Sequence, residues 1–152
     1  MSLFRDDLIQ EFNEYKEANL NDFSWWNYVN LKSDLQTALA FAKFFYPEVI
    51  QLDGYFLLKD KFNEQLFINW KESCYGDKIC VEKMMNLYEL KDFFHININN
   101  EETEQEQLIE LGNVLKLFWS MSFKERFPQK NIVISVYEEF DSLFITVYEK
   151  IK

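Results

Sequence analysis

Apolar side chains recur at helical spacing along the start of the chain. Phe4, Leu8, Phe12 and Tyr15 are separated by four, four and three positions, which puts them on one face of a helix from about Leu3 to Ala18. Asp6, Asp7, Glu11 and Glu14 fall mostly off that face, and acids near its start suit the positive end of the helix dipole. Between Asn19 and Asn30 the period is lost. Phe23, Trp25, Trp26 and Tyr28 crowd together there with no clear spacing. A second helix follows, opened by Ser33 and Gln36 at the spacing of a capping box and carried by a stripe of Leu35, Ala38, Leu39, Ala42 and Phe45. Pro47 ends it, because the residue before a proline avoids the helical region.

The pattern then changes to short strands. Val49-Ile50-Gln51-Leu52 and Tyr55-Phe56-Leu57-Leu58 flank Asp53-Gly54, a dipeptide that tolerates the positive φ angles of a hairpin turn. Two short helices come next. Phe62, Leu66, Phe67 and Trp70 align in the first. Gly76 breaks the chain, Asp77 caps the second, and Val81, Met84, Met85 and Tyr88 share a face. Asp92 to Asn100 reads as irregular, with a short strand over His95-Ile96-Asn97-Ile98 as an option. The longest helix is predicted over about 102–126. Thr103 and Glu106 supply a capping box, and Leu108, Leu111, Leu115, Phe118 and Met121 form the main stripe, widened by Val114, Leu117 and Trp119. Gly112 in its interior costs about 1 kcal/mol relative to alanine, so a neighbouring element is expected to approach closely at that point.

The chain ends in two alternating runs, Asn131 to Tyr137 and Leu143 to Tyr148, with Glu139-Phe140-Asp141-Ser142 at the turn. Ile132, Ile134 and Val136 form one row, matched by Leu143, Ile145 and Val147 on the partner strand. Isolated two-stranded ribbons are marginal in water. The expected fold is therefore a two-layer α+β domain, residues 1–152. One antiparallel sheet built from both hairpins (about 49–58 and 131–149) packs on helices that include the long central one.

Composition narrows the function. The 152 residues hold 26 acids against 16 bases, for a formal net charge of −10. Arg5 and Arg126 are the only arginines, and the lysines are scattered among acids. Nucleic acid is held by clustered Arg and Lys, so neither it nor an anionic membrane is an expected partner, whereas a basic protein is. No apolar run is long enough to cross a bilayer. The two cysteines, Cys74 and Cys80, are too few for a secreted disulfide framework, and a cytoplasmic, reducing setting is expected.

Equipment for chemistry is sparse. His95 is the only histidine, and no family signature surrounds the cysteines that would have to pair with it. Cys74, Cys80 and His95 fall short of four zinc ligands. Three isolated glycines cannot build a phosphate-binding loop. No cofactor, metal or catalytic residue is expected on these grounds.

What remains is contact material. The 16 Phe, 8 Tyr and 4 Trp include the cluster Phe23, Trp25, Trp26 and Tyr28, residue types favoured at binding hot spots. Glu102, Glu106 and Glu110 repeat every four residues on one helix face, and Glu138, Glu139 and Asp141 gather at the last turn. These ten residues are the expected partner-binding set. The leading expectation is a non-enzymatic domain that binds a basic protein, as an immunity- or antitoxin-type inhibitor would. The alternatives are a small-ligand domain or enzyme using His95 and carboxylates, and an assembly subunit that dimerises through exposed β edges.

Overall fold

The structure is a computed structural model that describes residues 4–20, 22–94 and 101–151, with the side chains of Glu101 and Glu102 outside that description. The fold class is the expected α+β. A single 3₁₀ turn (Asp6–Leu8) precedes α1 (Gln10–Ala18), α2 (Trp25–Lys32) and α3 (Leu35–Phe45). The hairpin β1 (Val49–Leu52) and β2 (Tyr55–Leu58) follows, then α4 (Glu64–Ser73) and α5 (Lys78–Met85). A short β3 (Tyr88–Glu89), the long α6 (Glu101–Arg126), β4 (Ile132–Glu139) and β5 (Ser142–Glu149) complete it.

Several local rules act where the sequence puts them. Asp53 and Gly54 take φ of 52° and 83° between β1 and β2, as the hairpin turn requires. Asp77 caps α5 by accepting from the Cys80 N–H at 2.6 Å. In the last hairpin Ile134 faces Val147 and Val136 faces Ile145, so the two apolar rows meet in register. The possible strand at His95 lies outside the described residues.

Other expectations are corrected. The first helix is split, because Ile9 (φ −101°, ψ 73°) leaves the helical region between the 3₁₀ turn and α1. The stretch without a period contains a helix, α2, whose Ser24 and Asn27 bond reciprocally as a capping box. The cap of α3 is Asp34, which accepts from the Thr37 N–H at 2.8 Å, and not Ser33. On α6 the buried residues Leu115, Trp119, Ser122 and Phe123 make the inward face, while Met121 is exposed and Phe118, partly exposed, meets Phe45 of α3. Cys74 and Cys80 are joined by a disulfide, which takes away the support that two free thiols lent to a reducing compartment.

The largest correction concerns the sheet. The hairpins do not merge. β1 and β2 form their own ribbon, and β3 joins the other hairpin in the order β3-β5-β4. Two buried polar side chains, Glu82 on α5 and Asn86 at its C-terminal cap, stand between the ribbons. Asn86 accepts from the Leu58 N–H at 2.7 Å and donates to the carbonyls of Phe56 and Val147, each at 2.8 Å. Glu82 accepts from the Phe56 N–H at 2.7 Å and the Glu149 N–H at 2.6 Å. These side chains do for β2 and β5 what a direct ladder would have done, because buried backbone groups must find partners. Lys78 reaches both Glu82 and Glu149 and balances the buried charge.

Phe56, Leu58, Leu90, Leu115, Trp119, Phe123, Ile134, Ile145 and Val147 form the main core. Gly112 of α6 explains itself there. A Cβ at that position would lie 2.9 Å from Leu90 Cδ1 and 3.0 Å from Val136 Cγ1. The usual gain of about 1 kcal/mol for alanine in a helix is therefore opposed by overpacking of roughly 1–3 kcal/mol. Gly112→Ala is expected to destabilise the fold by about 1 kcal/mol net in urea unfolding. A gain in stability would mean that Leu90 and Val136 give way freely.

Candidate functional site

The aromatic cluster is divided by α2. Residues Trp25 and Tyr28 share the helix side that meets α1, while Trp26 points the other way. The Trp25 ring stacks on Phe12 with centroids 3.5 Å apart, and Tyr28 meets the same ring edge-on at 5.8 Å. Phe23 stacks on Tyr15 at 5.4 Å. A polar clasp closes this small subcluster: Glu11 accepts from the Tyr28 hydroxyl at 2.9 Å and pairs with Lys32. Burial, then the bond to Glu11, pushes the Tyr28 hydroxyl up to about 12. The Lys32 ammonium, then Tyr28, holds the Glu11 carboxyl below its usual range. Phe23, Trp25 and Tyr28 thus hold α2 onto α1. Trp26 is 80% exposed.

Trp26 is one wall of a groove. With Val29, Ser33, Leu35 and Ala38 it lines a cleft of about 610 Å³ between α2 and α3. Of the expected stripe of α3 only Phe45 packs against the core. Leu35 and Leu39 are 83% and 70% exposed, and no residue of α2 or α3 is buried. The C-terminal end of α3 is what docks, through Phe44 against Phe93 and Phe45 against Phe118.

The acidic groups lie toward one end of the molecule. Gly112 lies against Val136 and Leu143, while Phe123 lines a common cleft with Ile132 and Ile134. α6 therefore runs opposite to β4, and the start of α6 and the β4–β5 turn stand at the same end of the molecule. Glu106 and Glu110 on α6 are engaged there by Arg5, whose guanidinium approaches Glu106 at 3.4 Å and whose backbone N–H reaches Glu110 at 3.3 Å. Arg5 also pairs with Asp7 at 2.5 Å. Glu138, Glu139 and Asp141 surround the turn and make no ion pair among the described residues. The side chain of Glu102 lies outside the description.

Between those carboxylates sits Phe140, 92% exposed. Phe140 and Asp141 have φ of 49° and 60°, a two-residue turn with both central residues left-handed. Asn-Gly closes such a turn without strain, whereas a bulky residue in that region costs about 1–2 kcal/mol. The composition of the turn was visible in the sequence, but the exposure and strain of Phe140 were not. The signal for α2 was also present, in Ser24 and Asn27 three residues apart before an apolar run, with Asn in the place of the usual Glu or Gln.

Asp34, the one carboxylate lining the α2–α3 groove, is occupied as the α3 cap. Among the described residues no group of three or more His, Cys, Asp or Glu is placed to hold a metal ion, and no helix is long and apolar enough to cross a membrane. His95 lies outside the described residues. No family model, curated protein or solved structure matches the chain.

Proposed function

We propose that this chain is a small non-enzymatic binding domain that meets a basic protein through its acidic end. The reading is supported by two acidic groups, distant in sequence, that lie toward the end where Phe140 is exposed. Clustered carboxylates raise the rate of encounter with a basic surface and disfavour acidic competitors. An exposed ring among them can enter an apolar pocket on the partner, the usual form of an interface hot spot within a polar rim. Phe140 contributes almost nothing to the core and occupies a strained turn, so a ring at this position is better accounted for by contact than by folding. An inhibitor that covers a basic active surface, of the immunity or antitoxin type, has these properties.

The test is capture from the native cell on immobilised full-length chain at low and moderate salt. The wild type is compared with a variant carrying Glu138→Lys, Glu139→Lys and Asp141→Lys. A control reverses Glu64 and Glu72 on α4. A basic protein should be retained by the wild type and by the control, weakened by salt, and lost at least tenfold with the turn variant. Retention of no basic protein at either salt, or equal retention by the turn variant, overturns the proposal.

A further inference from the structure

We infer that the exposed α2–α3 face is the docking site for a second copy of this chain, giving a two-fold dimer. The inference is independent of the acidic end and uses a different surface.

Charge argues for this occupant over the alternatives. From Phe23 to Pro47 the only charged residues are Lys32, Asp34 and Lys43, in a chain of net charge −10. Lys32 is taken by Glu11, Asp34 caps α3, and Lys43 lies 3.9 Å from Glu48. A basic partner would gain no Coulomb energy here. A membrane surface calls for Lys and Arg flanking the apolar face of a helix, and this face offers no such free cations. A second copy brings an equally uncharged face, and its repulsive charges lie elsewhere on the molecule.

Shape and area point the same way. A two-fold contact needs one patch that complements itself. This face carries both a projecting ridge, Leu35 and Leu39, and a groove of about 610 Å³ beside Trp26. Trp26, Val29, Leu35 and Leu39 are 80%, 56%, 83% and 70% exposed. With ordinary side-chain sizes that leaves on the order of 600 Å² in water, the upper end for the largest apolar patch of a typical monomer. A standard interface covers roughly 800 Å² per partner, which the rim residues Asn30, Ser33 and Gln36 would complete.

Sedimentation equilibrium of the full chain over a wide concentration range tests this. The wild type should show a monomer–dimer equilibrium that tightens as salt rises, because salt screens the repulsion between two acidic copies and leaves apolar contact intact. Leu35→Glu with Leu39→Glu should raise the dimer dissociation constant at least 100-fold while circular dichroism and the melting midpoint stay near wild type, since both side chains are exposed in the monomer. Trp26→Ala alone should raise it at least tenfold. The turn variant Glu138→Lys, Glu139→Lys, Asp141→Lys should dimerise no worse than wild type, which separates this result from loss of the basic partner. A wild type that stays monomeric at its solubility limit in moderate salt overturns the inference. So does a dimer that persists in the Leu35→Glu, Leu39→Glu variant, which would assign the contact to another surface such as the outer edge of β4.

Discussion

Asn86→Ala is expected to cost about 3–6 kcal/mol in urea unfolding, a large share of the 5–15 kcal/mol typical of a domain. The side chain is fully buried and makes three hydrogen bonds, to Leu58, Phe56 and Val147. Alanine leaves two carbonyls and one N–H without partners in a place closed to solvent. Each such group costs about 1–3 kcal/mol. Asn86→Asp is the sharper test, because it keeps the volume and the acceptor to Leu58 but replaces both donated bonds with repulsion between oxygens. It also adds a charge beside Glu82. Both variants should unfold early, and Asp should be no milder than Ala at neutral pH. A loss under about 1 kcal/mol for Asn86→Ala would mean that β2 and β5 close up and pair directly. The single sheet expected from the sequence would then be a near neighbour of the native state.

That same pair of residues shows why one part of the fold was legible and another was not. Both hairpins could be read because turn chemistry and two-residue alternation are local: Asp53-Gly54 fixes one turn, and the rows that set Ile134 opposite Val147 and Val136 opposite Ile145 match the register of the other. The union of the hairpins is not local. Glu82 and Asn86 lie four apart, on a short helix and at its C-terminal cap, and read as an ordinary polar face. Nothing in the pattern says that this face turns inward to meet two strand edges. Helix faces failed for a related reason. The stripe Leu35, Ala38, Leu39, Ala42 and Phe45 is a regular apolar face, and such a face normally marks the core. Here only its last member, Phe45, makes core contact, together with its neighbour Phe44, and the rest is left in water. Periodicity reports that a face is apolar without saying what covers it. A dimer interface and a core leave the same trace in a sequence.

The acidic clusters illustrate the complementary case. Their residues could be listed from the sequence, but that they lie toward one end depends on α6 and β4 running in opposite directions. Arg5 then divides them. Glu106 and Glu110 hold the N-terminal 3₁₀ turn against α6, while Glu138, Glu139 and Asp141 face outward around Phe140. Trp25 and Trp26 divide likewise, one packed on Phe12 and one exposed. Adjacent residues on a helix are about 100° apart, so one inward tryptophan forces the other toward solvent. The sequence places both in the same cluster, and only the position of α1 decides which is which.

Trp119→Ala is expected to destabilise the fold by about 4 kcal/mol, close to the effect of Asn86→Ala but with a different distribution. Trp119 is fully buried on α6, and its ring lies 6.2 Å from Phe123 and 6.4 Å from Tyr88. Its indole N–H donates to the Phe44 carbonyl at 2.6 Å, which ties α6 to the last turn of α3. α3 has no buried residue of its own, so it depends on such anchors; another is Arg126, which donates to the Pro47 carbonyl at 2.8 Å. Trp119→Phe separates the two roles. It keeps most of the apolar volume but leaves the Phe44 carbonyl without its donor, for a loss of about 1–2 kcal/mol. Its effect should be uneven. Amide hydrogen exchange in residues 35–45 should accelerate well before exchange in β4 and β5, because α3 can open without exposing the sheet. The dimer inferred for the α2–α3 face should weaken in parallel, since a detached α3 no longer holds Leu35 and Leu39 beside Trp26. Uniform acceleration throughout the chain would show that α3 unfolds only with the core, and that its exposed face is held as rigidly as the buried one.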